Sequence, residues 1–136
     1  MQFDKLTERI QKALQTAQNL ALSNNNSAIA SMHLLFVLLD DDAVASLLAQ
    51  AGVALVPLKQ EVAQKIDALG VLSHPTGQVG LANDLVQVMN TAEMLASKAG
   101  DEFVASEWVL LALSEQGDTK RVLGNAGLNL TILKEL

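Results

Sequence analysis

The side chains able to carry chemistry are few in this sequence, and they stand apart from one another. His33 opens a strongly apolar stretch, where an imidazole serves as a cap or a packed structural group, and His74 precedes Pro75 among turn-forming residues, where it is solvated. Two isolated histidines do not make a metal site, and without a cysteine no thiolate completes one. The run Asp40-Asp41-Asp42 lacks the alternating donors and distal glutamate of a calcium loop; its expected use is to end one helix and cap the next. No Gly-x-Ser-x-Gly, His-Glu-x-x-His or phosphate-cradling Gly-Lys-Ser/Thr loop occurs. The chain is therefore expected to be no enzyme, to hold no cofactor or metal and to bind no ATP by itself.

Recognition chemistry is better represented. Trp108 is the only tryptophan; a ring at a helix start either fills core or, partly exposed, anchors a peptide side chain. Glu107 beside it suits a helix N-terminus electrostatically. Asp101 follows the helix-closing Gly100 as a turn residue, and Thr7 is placed to cap the first helix.

The elements that must position these residues follow from an internal repeat. Residues 6–61 superpose on 81–136 without a gap, pairing Ala17-Gln-Asn-Leu-Ala21 with Ala92-Glu-Met-Leu-Ala96, Ile29-Ala-Ser31 with Val104-Ala-Ser106, and Ala51-Gly52 with Ala126-Gly127. In each copy the spacing predicts four helices. The first carries Leu6, Ile10, Ala13, Leu14, Ala17, Leu20 and Ala21, or Leu81, Leu85, Val88, Met89, Ala92, Leu95 and Ala96, and stops near Asn24-Asn25 or Gly100. The second, nearly all apolar, is expected to be capped by the Ser31 or Ser106 hydroxyl; the third starts after Asp42 or Asp118 and ends at Gly52 or Gly127. The fourth begins near Leu55, with Pro57 in its first turn, or near Leu130, where the chain cuts it short. The predicted fold is all-α: two four-helix repeats, about 1–69 and 81–136, joined by an exposed linker at about 70–80 and packed with approximate twofold symmetry as one domain, 1–136. The seam between the copies is the natural place for a binding site.

Composition agrees with this. Of the 136 residues, 50% are apolar and 3% aromatic, enough for a helix-favouring core and poor in strand formers. No apolar run is longer than that from Leu34 to Leu39, far short of the roughly 20 residues of a membrane span, and the start resembles no signal peptide. A net charge of −6 with scattered lysines and arginines disfavours nucleic acid. The absence of cysteine fits a reducing, cytoplasmic setting. Polypeptides remain the expected partners.

Phe3-Asp-Lys-Leu-Thr7, Ala17-Gln-Asn-Leu-Ala21, Met32-His-Leu-Leu35, Thr76-Gly77, Asn83-Asp-Leu-Val86 and above all Gly100-Asp-Glu-Phe-Val-Ala-Ser-Glu107 resemble the paired Clp N-domain repeat that precedes the ATPase rings of Clp unfoldases, in its ClpB branch, over essentially the whole chain. The resemblance implies a non-catalytic chaperone domain of a stress-response disaggregase, itself monomeric, that recruits unfolded or aggregated polypeptides for the parent hexamer; ATP and Mg would belong to the parent. It implies Thr7, Asp101 and Glu107 as the polar part of the substrate site, on one surface, and Leu95 and Trp108, with Val88 and Met89, as the apolar lining. Thr91 departs from the pattern where an apolar residue is expected, as does Trp108 where a smaller one is usual. A ClpA- or ClpC-type N-domain, or a stand-alone adaptor binding adaptor proteins for proteolysis, is the alternative within the family.

Overall fold

The first helix of each copy forms where apolar residues fall three and four apart. The computed structural model describes residues 3–74 and 77–135; Met1, Gln2, Pro75, Thr76 and Leu136, which include part of the linker and of its Thr76-Gly77 motif, lie outside the described residues. Helix α1 (Glu8–Ser23) buries Ile10, Ala13, Leu14, Ala17 and Ala21. The first helix of copy two, which becomes α5 in chain order (Asn83–Lys98), buries Leu85, Val88, Met89, Ala92 and Ala96. Both stop at a left-handed residue, Asn25 (φ 56°) and Gly100 (φ 80°), after which the amides of Asn26 and Asp101 reach back to the carbonyls of Ala21 and Ala96 at 2.9 Å.

The remaining helices follow the repeat: α2 (Ser31–Leu38), α3 (Asp42–Gln50) and α4 (Leu55–Asp67) in copy one, α6 (Ser106–Glu115), α7 (Gly117–Asn125) and α8 (Leu130–Glu135) in copy two. The apolar second helices lie at the centre. Helix α2 touches α6, and each reaches across the seam to the third helix of the other copy, α2 to α7 and α6 to α3. The copies are thus interleaved, and Leu34, Leu35, Leu38, Val109, Leu110 and Leu113 share one core. Among the described residues no single helix is long and apolar enough to cross a membrane.

The exchange extends to the backbone. Strand β1 (Ala28–Ile29) pairs in parallel with β2 (Gly80–Leu81), and the related bridge joins Leu6 to Val104, so the segment entering each first helix is stitched to the loop before the other copy's second helix. The local twofold passes near Gly52 and Gly127. Their backbones have φ of 94° and 93°, and a Cβ on either would lie 3.5 Å from the other's carbonyl oxygen. That is an ordinary contact, so substitution is costly through the left-handed backbone rather than through a clash. Gly52→Ala and Gly127→Ala are each expected to lower unfolding stability by about 1–2 kcal/mol in urea titrations.

Two expectations need correction. Ser31 and Ser106 are the first helical residues and not the caps, which are Ala30 and Ala105. The first α2 amide is instead met by Asp84 on α5, whose carboxylate accepts from the Ser31 amide at 3.3 Å and the Ser31 hydroxyl at 2.7 Å. Asp84→Ala is expected to cost about 1 kcal/mol, read as a shift of the urea midpoint. The third helices begin slightly earlier than expected, at Asp42 and Gly117, the former capped by Asp41. The linker has no buried residue among its described positions and is held at both ends, where Val71 bridges Asn26 and Gly80 enters β2.

Candidate functional site

The loop from Gly100 to Ala105 brings the sequence-predicted residues together. Its Val104 donates to the Lys5 carbonyl at 2.8 Å and accepts from the Thr7 amide at 3.2 Å, so the start of α1 lies directly against the segment carrying Asp101 and Glu107. Each of the three has a definite local task. Thr7 is the N-cap of α1, its hydroxyl accepting from the Ile10 amide at 3.3 Å. Asp101 accepts the indole N–H of Trp108 at 2.7 Å. Glu107 stands exposed in the first turn of α6, where a carboxylate suits the helix dipole.

Two recesses flank the Asp101–Trp108 bond. Trp108 lines the first, a cleft of about 200 Å³, with Glu107 and Leu111 from α6, Leu47 from α3 and Leu133 and Lys134 from α8. It is apolar at its walls and charged at its rim, where Lys134 pairs with Glu115 at 3.1 Å. Asp101 lines the second recess, about 510 Å³, with Asp4, Lys5, Glu93, Glu102 and Phe103 among its neighbours. That recess carries four carboxylates against one ammonium. Phe103 is 53% exposed there.

The expected apolar lining is only partly where it was placed. Trp108 is half-buried and does line the first cleft. Val88 and Met89 are 1% and 0% exposed, because they occupy the core-facing stripe of α5, and so they cannot meet a partner in this conformation. Leu95 is half-buried against the core from α5, whereas the cleft walls come from α3, α6 and α8. Thr91, where an apolar residue was expected, accepts from Gln116 Nε2 at 2.9 Å near the far end of α6. Leu47 and Leu133 were missed as lining residues; both are apolar repeat positions that sequence alone assigns to core.

Also missed was the pairing that holds the tryptophan. His33, which the repeat aligns with Trp108, bonds through Nε2 to Asn26 Oδ1 at 2.9 Å, and Asn26 is aligned with Asp101. In both copies a ring N–H at the third position of the second helix therefore reaches an acceptor seven residues upstream, on the residue after the left-handed stop. His33 is fully buried, and its Nδ1 also accepts from the Ala30 amide at 2.9 Å. Burial holds its pKa below the ordinary 6.5, with Asp84 pulling in the opposite direction. One signal could have found the pair: polar residues at equal offsets in both copies.

A second seam cleft shares two repeat-equivalent positions with the first. About 380 Å³ in volume, it lies where Met32 and Val122 replace Glu107 and Leu47, with Lys65, Arg121 and Asp118 at its edge. Arg121 and Asp118 form an ion pair. Among the described residues no group of three or more His, Cys, Asp or Glu is placed to hold a metal ion.

Comparison with known proteins locates this arrangement. The model of the "Clp repeat (R) N-terminal domain" family matches residues 5–126. The chain is 37% identical over 143 residues to the chaperone protein ClpB of Pseudomonas putida, covering 96% of this chain and 17% of that protein, so it spans about a sixth of its relative. Among solved structures, the Hsp104 N-terminal domain from Candida albicans superposes with a TM-score of 0.87 at 21% identity, covering 96% of this chain and 87% of that one. A complex of a ClpV N-domain with a VipB peptide superposes with a TM-score of 0.76 at 23% identity, covering 97% and 89%.

Proposed function

The chain belongs to the Clp repeat N-terminal domain family, and from that premise we propose that it is the non-catalytic recruiting domain of a ClpB-type disaggregase, engaging apolar segments of unfolded or aggregated polypeptides at the Trp108 cleft. The observation that carries the reading is the cleft itself: apolar walls left open at the seam between the copies, with Glu107 in its lining and Asp101 bonded to its Trp108. At about 200 Å³ it has room for a side chain or two and falls below the ~300 Å³ usual for small-molecule sites. A site of that size grips short apolar stretches weakly and without regard to sequence. Native proteins hide such stretches, so the cleft distinguishes misfolded chains from folded ones. The peptide held by the ClpV N-domain supports a related use of the fold.

On this reading the domain holds no nucleotide. ATP and Mg serve the ring of the parent hexamer, in the cytoplasm, and weak binding lets the client move on to that ring. Titration of the 15N-labelled domain with reduced, carboxamidomethylated ribonuclease A and with the native enzyme tests it. Shifts at Leu47, Glu107, Trp108 and Leu111 with the unfolded form alone are expected, and Trp108→Ala should weaken binding about tenfold, as for a central aromatic anchor. Equal shifts with native ribonuclease, or shifts confined to another face, would remove the assignment.

A further inference from the structure

The equivalence between His33–Asn26 and Trp108–Asp101 separates two uses of one device. In copy one the ring is sealed in the core, and Asn26 passes the connection on to the Gly70 carbonyl at 3.1 Å, so the bond serves the structure. In copy two the same bond, at 2.7 Å, lies at the surface, and the ring it holds is a wall of the cleft. Nothing in the core requires it there. Trp108 makes this single polar contact through its indole N–H, and the acceptor is a carboxylate oxygen.

Resting on the recruitment reading, we propose that Asp101 is a positioning residue: its carboxylate holds the Trp108 indole in the orientation that forms the cleft wall, and it acts on the bound polypeptide through that ring instead of touching it. One carboxylate oxygen, Oδ2, is engaged by the indole N–H of Trp108 on α6. A free Trp108 would have to be ordered by each incoming client, and fixing it beforehand removes that cost from binding. The role follows from tryptophan at this position, since a smaller apolar side chain would offer no N–H to accept.

The sole tryptophan makes the test direct. Fluorescence anisotropy and acrylamide quenching of Trp108 are read in the unaltered domain, D101N and D101A, and affinity for reduced, carboxamidomethylated ribonuclease A is measured in these three and in W108F and W108F/D101A. In D101A the anisotropy should fall, quenching should rise about twofold, and affinity should drop about fivefold, whereas D101N, whose amide oxygen still accepts the indole N–H, should stay within about twofold in all three. Adding D101A to W108F should cost nothing further, because phenylalanine has no N–H to hold. Equal weakening in D101N and D101A with an unchanged tryptophan signal would overturn the proposal and assign Asp101 to the client by charge. Failure of the unaltered domain to bind the unfolded chain would instead overturn the recruitment reading, and the anisotropy comparison would still decide whether Asp101 holds the ring.

Discussion

Leu35→Ala and Leu110→Ala should each remove about 3 kcal/mol of unfolding free energy, and they should do so without splitting the transition in two. Both leucines are 0% exposed, they are equivalent under the repeat, and they sit on α2 and α6, the helices that pack together at the centre. Truncation leaves a cavity that the surrounding Leu34, Leu38, Val109 and Leu113 cannot fully collapse, because each is itself held between two copies. Because α2 supports α7 and α6 supports α3, a defect in one copy weakens the other. Urea unfolding followed by far-UV dichroism and by Trp108 fluorescence should therefore give coincident curves in both variants. If Leu35→Ala left the tryptophan transition where it was, the copies would be separate folding units. A domain of this size carries ~5–15 kcal/mol in all, so the double variant should be close to unfolded.

Interleaving also explains how a chain with so apolar a composition keeps an open cleft. Each first helix is fastened to the other copy by a short parallel pair, and α3 and α8 both reach α6 while also touching each other. The space between their side chains is fixed by elements that are each anchored elsewhere. Leu47, Leu111 and Leu133 cannot close over Trp108 without disturbing the core beneath them. Rigid surroundings suit a site that receives side chains from many partners, since it need not be rebuilt for each one.

The helices were legible because period and repeat reinforced one another: Ile10, Leu14 and Ala17 mark the same face as Leu85, Met89 and Ala92, and Gly52 and Gly127 mark the same stop. Caps were less legible. Ser31 has the right chemistry for a cap, but a carboxylate from α5 took the first α2 amide, and no local rule finds a partner 53 residues away. Thr7, Asp101 and Glu107 come together because Asp101 and Glu107 lie on and just after one loop and Thr7 belongs to the segment bonded to it. The apolar lining could not, since a leucine in a stripe such as Leu133 has the same sequence signature whether its outer edge meets core or cleft. Val88 and Met89 erred in the other direction for the same reason.

Loss of the His33 ring should have a comparable effect, with a dependence on acidity that no leucine shows. Its proton inventory is fixed by its partners: Asn26 Oδ1 can only accept, so Nε2 carries the hydrogen, and Nδ1 must then be bare to accept the Ala30 amide. The ring is therefore neutral in the folded state. Protonation would place a hydrogen on Nδ1 facing the Ala30 N–H and a charge in the core, with the Asp84 carboxylate as the opposing influence. His33→Ala strands the Asn26 oxygen and the Ala30 amide beside a cavity, and about 3 kcal/mol should be lost at pH 7.5. The sign of the pH effect follows from the lowered folded-state pKa. Well above pH 6.5 neither state takes up a proton at this ring, so it contributes no slope. As the pH falls below 6.5 the unfolded chain binds a proton before the folded one does, and stability declines until the folded pKa is passed. His33→Gln, which cannot titrate, removes that component; the stability difference between the two proteins, from urea titrations every half unit from pH 7.5 to 5, should narrow steadily on the acid side. A constant difference across that range would mean that the buried ring takes up its proton as readily folded as unfolded, and that the Ala30 and Asn26 contacts do not fix its neutral form.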